Sequence, residues 1–536
     1  MNSFWEANLA ALALRQEALS NGLWTRLRAL GPWKGESPRS RAGQELPSVL
    51  ANGRRLALES AYDAQKEAER WSSDLEPDTT LVVFGGAPPT LWKQASKGRA
   101  LIVAVEPRLE VWQNLFTLCD FGAQLADPLW FATCEAPGRW LDWLASRYHP
   151  LWDGGVVIRW WRPATSGDDT RWEAHASEAQ RRLASWSGDF STQARFGARW
   201  YHNLLFNLRT LEPLKPGRVL DQFQERPAGA VIAGAGPGLE VSLALDANRR
   251  LLEGRPTNGW KLLATDTALP ALLARGWRPD VVLCLDGQLP SAHHFHPPLP
   301  DGLPLLTDVA SLPLFHRLGL TVLPFLSGHP MARVVQRHFS GLPRIEVPTA
   351  NVSGLGLELA AAWGAQETRL WGVNLAYPWA KGYARGTYVY PLHLRAALRT
   401  SPGETRLLAG CYGAEDLQRH ENTEGVCYTT PLLREYRVRM DQRRLELASK
   451  PAVPFVPYSK AGNLEAWEAD WRRRLQTLPK LPAGQPMAVW LASLPTDRQE
   501  DWLALWPLAL AQLRLWGRKE GWHERLVEQA LAPLQD

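Results

Sequence analysis

Apolar positions change their spacing along the chain, and the changes divide it into regions. Residues 4–30 and 48–71 place apolar side chains at helical intervals, with a Pro-, Gly- and Ser-rich loop around residues 31–43 between them. Residues 81–84 form a short unbroken apolar run that stops at Gly85-Gly86-Ala87-Pro88, the pattern of a strand buried on both faces. A helical stretch follows, and Leu101–Val105 repeats the strand pattern and ends at Glu106. Strand, glycine turn, helix, strand and terminal acid predict a βαβ unit of the Rossmann type. Its turn lacks a third glycine and sets prolines where phosphate would need free N–H groups, so the unit is expected to be structural. Residues 138–210 are rich in Trp and Arg and read as mostly helical.

The pattern is cleaner from residue 228. Residues 231–233 predict a short strand, 234–238 (Gly-Ala-Gly-Pro-Gly) a turn and 239–252 a helix. Further strands are expected at 261–265, 280–285, 303–306, 320–326 and 368–373, with a helix at 354–363 before the last. This alternation predicts a mainly parallel sheet covered on both faces. Beyond residue 431 the chain turns helical and amphipathic, interrupted by prolines at 451–457 and 479–486. The expected fold class is α/β: a central Rossmann-like, GT-A-like parallel-sheet domain over 228–430, a smaller N-terminal α/β domain over 1–135, a mainly helical bridge over 136–227 and a C-terminal α-helical region over 431–536.

The 536 residues suit about three domains, and 45% hydrophobic against 21% charged residues is a globular balance. A formal charge of +5 without a concentrated basic stripe speaks against a nucleic-acid binder and leaves an anionic small ligand open. Five scattered cysteines in no C-x-x-C pair speak against a disulfide framework or a structural zinc site. Residues 1–30 lack a signal-peptide core, and no run of 18 apolar residues occurs, so a cytoplasmic protein with no membrane insertion is expected. The 27 tryptophans are read as packing residues.

Ligands of a parallel sheet bind beyond the carboxyl ends of its strands. Those ends collect Gly234, Gly236, Pro237 and Gly238, then Asp266 and Thr267, Asp286 and Gln288, Asn351 and Ser353, and Asn374. The glycine turn feeds a helix N-terminus suited to phosphate, although a tight structural turn explains it equally well. Asp266 reads as a ribose ligand or as a helix cap, and Ser353 as a ligand contact or an N-cap. The ligand role is favoured at Asp286, where no helix follows. Tyr377, Tyr383, Tyr388 and Tyr390, interleaved with Lys381 and Arg385, lie in a loop where phenol hydroxyls suit a departing phosphate. His393 and His420 are candidate general bases. The run His293-His294-Phe295-His296 is expected to be a solvated loop, with no metal motif around it.

Residues 233–239 resemble the G-x-G-P-S-L turn of the motility accessory factor (Maf) flagellin glycosyltransferases, a turn shared by bacterial GT-A-type sialyltransferases and by MptE-like 6-hydroxymethylpterin pyrophosphokinases. Residues 264–272, Asp286 and Gln288, and Asn351-Val352-Ser353 followed by residues 372–377 are similar to later motifs of that family in the same order. Two positions depart from it: Gly238 stands for the usual Ser and Asn374 for the usual Asp. The resemblance implies a glycosyltransferase moving a nonulosonic acid (sialic, pseudaminic or legionaminic type) from a CMP-activated donor to Ser/Thr of flagellin. Gly234, Gly236, Pro237, Gly238, Asp266, Thr267, Asp286, Gln288, Asn351, Ser353 and Asn374 would hold the nucleotide sugar, and Tyr377, Tyr383 and His393 would be catalytic. No cofactor is implied; the CMP-sugar is a substrate, and Mg²⁺ is possible but not required. A Mg²⁺-dependent pterin-type diphosphokinase and a catalytically inactive nucleotide-binding protein are the alternatives.

Overall fold

The computed structural model describes the chain from Ser3 to Leu534, apart from residues 15–21, 77–78, 99–100, 128, 150–152, 167–168, 216–217, 297, 314, 380, 415, 423–424, 450–453, 482–486 and 518–519. It is a mixed α/β fold containing a four-stranded and a six-stranded parallel sheet, as the apolar runs predict. The chain forms two compact units. One comprises Met1–Arg195, Pro479–Gln499 and Leu510–His523; the other comprises Phe196–Leu478, Glu500–Ala509 and Glu524–Asp536.

The first unit opens with helices Ser3–Leu14 and Leu23–Leu30. A helix across 48–71 is not found. Ser48–Ala51 (β1) and Arg54–Ala57 (β2) instead pair as a hairpin, and the helix covers only Ala64–Ser72, capped by Asp63. The cause is Asn52-Gly53, whose φ angles of 50° and 74° are the two left-handed positions of a tight hairpin turn. Thr80–Phe84 (β3), Leu101–Val105 (β4), Trp130–Thr133 (β5) and Val156–Trp160 (β6) then form a parallel sheet in the order β5-β4-β3-β6. Because β6 pairs with β3, the expected boundary at residue 135 falls inside this sheet, and the expected helical bridge contains a strand of it beside helix Pro137–Ala145. The long helical signal belongs to Asp169–Thr210 alone. Trp92, Trp112, Trp130, Trp140 and Trp172 are fully buried here, which bears out their reading as packing residues.

The place where a Rossmann unit would take a ribose is filled by the chain itself. Glu106, at the end of β4, is 0% exposed. It accepts hydrogen bonds from the Gly86 N–H (2.9 Å), from the Arg108 N–H (3.0 Å) and from the Arg108 guanidinium at two 2.8 Å contacts. Arg108 also donates to the Ala164 carbonyl at 2.6 Å. A Cβ on Gly86 would lie 2.7 Å from Val111, so the turn has no spare room.

In the second unit, Gly229–Ala233 (β7), Trp260–Thr265 (β8), Val281–Cys284 (β9), Pro304–Asp308 (β10), Thr321–Phe325 (β11) and Glu367–Trp371 (β12) form a sheet in the order β11-β10-β9-β8-β7-β12. Each predicted strand of this region is present within two residues at either end. The chain steps outward from β7 to β11 and then returns to lay β12 on the other side of β7, which places the topological switch between β7 and β12. On one face, helix Val352–Trp363 packs closely, since a Cβ on Gly356 would meet Ile232 at 2.8 Å. Glu358 of that helix forms a bidentate pair with Arg443 of helix Pro431–Ser449 at 2.7 and 2.9 Å.

The expected helix 239–252 is two helices, Gly238–Ala244 and Asp246–Glu253, broken at Leu245, which is extended and half-exposed and so lacks a core contact to hold it helical. The region 431–536 is not a body of its own. Leu464–Gln476 belongs to the second unit, whereas 479–499 and 510–523 belong to the first. Among the described residues, no helix is long and apolar enough to cross a membrane.

Arg108→Ala should strip the paired cation from a buried carboxylate and cost about 3–5 kcal/mol, read as a lowered denaturation midpoint. An unchanged midpoint would show that Glu106 is held by other groups.

Candidate functional site

At the switch point the ends of β7 and β12 cross in close contact. The Gly234 N–H donates to the Trp371 carbonyl and the Gly236 N–H to the Gly372 carbonyl, both at 2.7 Å. A Cβ on Gly236 would stand 2.5 Å from Asn374 Oδ1 and 2.6 Å from the Gly372 oxygen, and one on Gly234 would stand 2.8 Å from that oxygen. The glycine pattern is therefore explained first by two backbones touching. Most of the N–H groups of the turn are also spent internally. Gly238 donates to Asn374 Oδ1 at 2.9 Å and Leu239 to the Gly236 carbonyl at 3.0 Å. The Ala235 N–H carries no acceptor among the described residues.

Beyond this crossing lies a cavity of about 770 Å³, bounded by the ends of β7, β8 and β12 and by the segment 372–411. That segment is built of Tyr377–Pro378 (β13), helices Val389–Arg395 and Gly403–Tyr412, and a small antiparallel sheet. Gln418–Asn422 (β14) and Gly425–Thr429 (β15) complete the sheet in the order β13-β15-β14. It is tied down rather than loose. The Ala384 N–H donates to the Ala235 carbonyl (2.8 Å), the Arg385 N–H to Glu240 (2.7 Å) and Arg275 to the Arg385 carbonyl (2.9 Å). Leu375 and Trp379 hold φ near 50° with a Cβ present, and Ala350, just before Asn351, has φ 54°. Such angles cost about 1–3 kcal/mol each and cluster where a segment is held for a task.

The structure brings many of the sequence-predicted residues to this cavity. Gly234, Gly236, Asp266, Thr267, Ser353 and Asn374 line it from the sheet side, and Tyr377, Tyr383 and His393 line it from the covering segment. The others stand outside the lining. Pro237 and Gly238 begin the short helix behind the turn. Asp286 accepts from the Gln288 N–H at 2.9 Å, which closes its own turn. Asn351, not Ser353, is the N-cap of helix Val352–Trp363, accepting from the Gly354 N–H at 2.9 Å. His420 lies on β14, away from the cavity lining.

Asp266 is 3% exposed, and burial pushes its carboxyl above the ordinary range, offset by His294 and by hydrogen bonds from Thr267. The Thr267 hydroxyl stands 3.1 Å from Asp266 Oδ1 and 3.3 Å from His294 Nε2, linking the three side chains. His294 is buried, contrary to the expected solvated run, and burial lowers its pKa. Sequence reasoning missed it because three histidines in four residues look polar. The available signal was the apolar spacing of the turn, in which Ser291, His294 and Phe295 face inward together. The ring of His294 packs edge-on against Tyr388 at 4.6 Å, bringing the covering segment onto the Asp266 cluster. Thr265, lining the same cavity and 5% exposed, has a buried hydroxyl without a partner among the described residues.

Burial raises the phenol pKa of Tyr377 and Tyr383, so both stay protonated donors at neutral pH. Neither hydroxyl has a hydrogen-bond partner among the described residues. The Tyr390 hydroxyl is different, since it donates to the Tyr383 carbonyl at 3.0 Å and braces the loop. Sites of this kind, a concave space at the switch point of a doubly wound sheet with phenol donors above a buried acid, bind small ligands with an anionic or polyhydroxyl part.

No protein-family profile matches the chain. It is 28% identical over 148 residues, 27% of its length, to an uncharacterized protein of Treponema pallidum (strain Nichols), and it spans about half (52%) of that curated relative. Among solved structures, a MAf glycosyltransferase from Magnetospirillum magneticum AMB-1 is similar over 100% of this chain and 95% of its own, with a TM-score of 0.60 and 14% identity. At that identity the likeness is one of fold.

Gly236→Ala should force β7 and β12 apart, lowering stability by about 1–3 kcal/mol as read by denaturant titration. A wild-type midpoint would mean that the crossing yields without cost.

Proposed function

We propose that this chain is a glycosyltransferase of the Maf kind, transferring a nonulosonic acid from a CMP-activated donor to a Ser/Thr hydroxyl of flagellin in the cytoplasm. The observation that carries the reading is the cavity itself, in which two free, protonated phenols face the switch point of the sheet. The full-length likeness of fold to a MAf glycosyltransferase and the ordered sequence motifs support it.

In this reading the nucleotide lies along the ends of β7, β8 and β12. Thr265 and Thr267 offer hydroxyls and Ser353 another, while Asp266 meets sugar or ribose hydroxyls. The bond from the anomeric carbon to the phosphate oxygen breaks first, and its electron pair leaves with CMP. Negative charge then grows on the departing phosphate, where Tyr377 and Tyr383 donate hydrogen bonds that strengthen in the transition state. The acceptor hydroxyl attacks the oxocarbenium-like carbon and gives up its proton late, with His393 on the cavity wall as the base. In this reading the charge is met by hydrogen bonds, and Mg²⁺ is possible but not required. Asn374 is tied to the Gly238 N–H and serves to position the turn.

CMP should raise the thermal midpoint without added Mg²⁺; stabilisation by ATP and Mg²⁺ instead would favour a diphosphotransferase. Tyr377→Phe should slow CMP release in the presence of flagellin by about 10²–10³-fold, the usual loss for one transition-state donor, with CMP affinity nearly unchanged. Equal rates in the two proteins would remove Tyr377 from the chemistry.

A further inference from the structure

A second, smaller cavity of about 270 Å³ opens on the other side of the Leu375-Ala376 backbone. Four of its nine lining residues are Arg419, His420, Arg434 and Arg437, and no carboxylate lines it. At its inner end Cys427 and Thr429 are buried, and the Thr429 hydroxyl donates to the Leu375 carbonyl at 3.3 Å. The cations come from two elements that the fold brings together, the edge strand β14 and helix Pro431–Ser449.

What these cations do not touch is informative. Further along the same helix, Arg439 is paired with Glu435 at 2.6 Å and Arg443 with Glu358 at 2.7 Å. The Arg434 side chain has neither an ion pair nor a hydrogen bond among the described residues. Arg437 donates to the Asn374 carbonyl, which aims its guanidinium at the segment separating the two cavities. Arg419 meets Glu421 at 3.1 Å, but both side chains are more than 60% exposed, and a pair so hydrated is readily exchanged for a better acceptor. Guanidinium groups converging on a space this small, with no carboxylate in its lining and only the exposed Glu421 beside Arg419, form a receptor for an oxyanion.

We propose that this cavity is an oxyanion subsite distinct from the donor cavity, taking one carboxylate or phosphate group of a second ligand. Arg434 supplies the free fork, Arg437 the orienting one, and His420 and Arg419 close the outer rim. The site goes beyond the glycosyl transfer proposed above and does not depend on which sugar donor is used. It shares only Leu375 and Ala376 with the larger cavity, so an anion held here would sit beside the donor rather than in its place.

The test uses the full chain, Arg434→Gln, and Arg434→Gln/Arg437→Gln, with inorganic phosphate and acetate titrated separately and followed by NMR of the anion. Arg434 is exposed and its side chain has no partner among the described residues to lose, so the single variant should keep the wild-type thermal midpoint. At least one anion should bind the unaltered chain, with affinity falling about tenfold for each guanidinium removed. Affinity for CMP should stay within about twofold. The tighter anion tells phosphate from carboxylate. Binding that is unaltered in both variants and competes with CMP would place the anion in the donor cavity and overturn the proposal, as would no binding of either anion. If CMP fails to bind while the arginine-dependent anion effect persists, the subsite stands and the transferase reading falls.

Discussion

Contact between two backbones holds the candidate site together. At the crossing of Gly234-Ala235-Gly236 with Trp371-Gly372 the strand ends exchange two short hydrogen bonds with no side chain between them. This contact positions everything that follows β12. Asn374 is pinned against the helix behind the turn, and Tyr377 emerges a fixed three residues later. The turn is thus a joint first, and whatever ligand it meets finds one N–H left open by the described residues rather than a full cradle. That differs from a dinucleotide turn, in which glycines let phosphate approach the backbone. Here the approaching group is the protein's own chain.

The acid at the end of β8 follows from the same construction. Asp266 lies where the sheet is dry, and a carboxylate in such surroundings needs partners. Thr267 and His294 provide them, and His294 in turn touches Tyr388 at the start of helix Val389–Arg395. A buried acid, a hydroxyl, an imidazole and a phenol therefore link the sheet to the segment that covers it. The covering segment is consequently part of the electrostatics of the site as well as its wall.

The parts that could be read in the sequence are those in which one element makes its own signal. In the large sheet β7 to β11 carry apolar runs that are largely buried, and they fell where those runs lie; β12, at an edge and only half-buried, was placed by its position after the helix Val352–Trp363. Trp130–Thr133 and Val156–Trp160 were less legible, because the apolar run within each strand is only three residues long, Trp130-Phe131-Ala132 and Val156-Val157-Ile158, and stands among helical signals. The hairpin before Ala64 was hidden by helical spacing, although Asn52-Gly53 marked it. At the site, residues on strand ends were found because sheet topology dictates where ligands bind. His294 was not, since its burial depends on a turn packing against a distant tyrosine. The basic cavity was equally illegible: its arginines are separated by the β14–β15 hairpin and meet only in the folded chain. Domain limits failed for a similar reason, as segments near the C-terminus fold into both units.

Leu375 and Trp379 bracket Tyr377 in a backbone conformation that glycine would adopt without penalty. A glycine at either place would relieve the local tension and at the same time admit many other shapes, loosening the span that carries the phenol. The bulkier side chains act as a splint: the energy stored at two angles is exchanged for a tyrosine that has few other places to go.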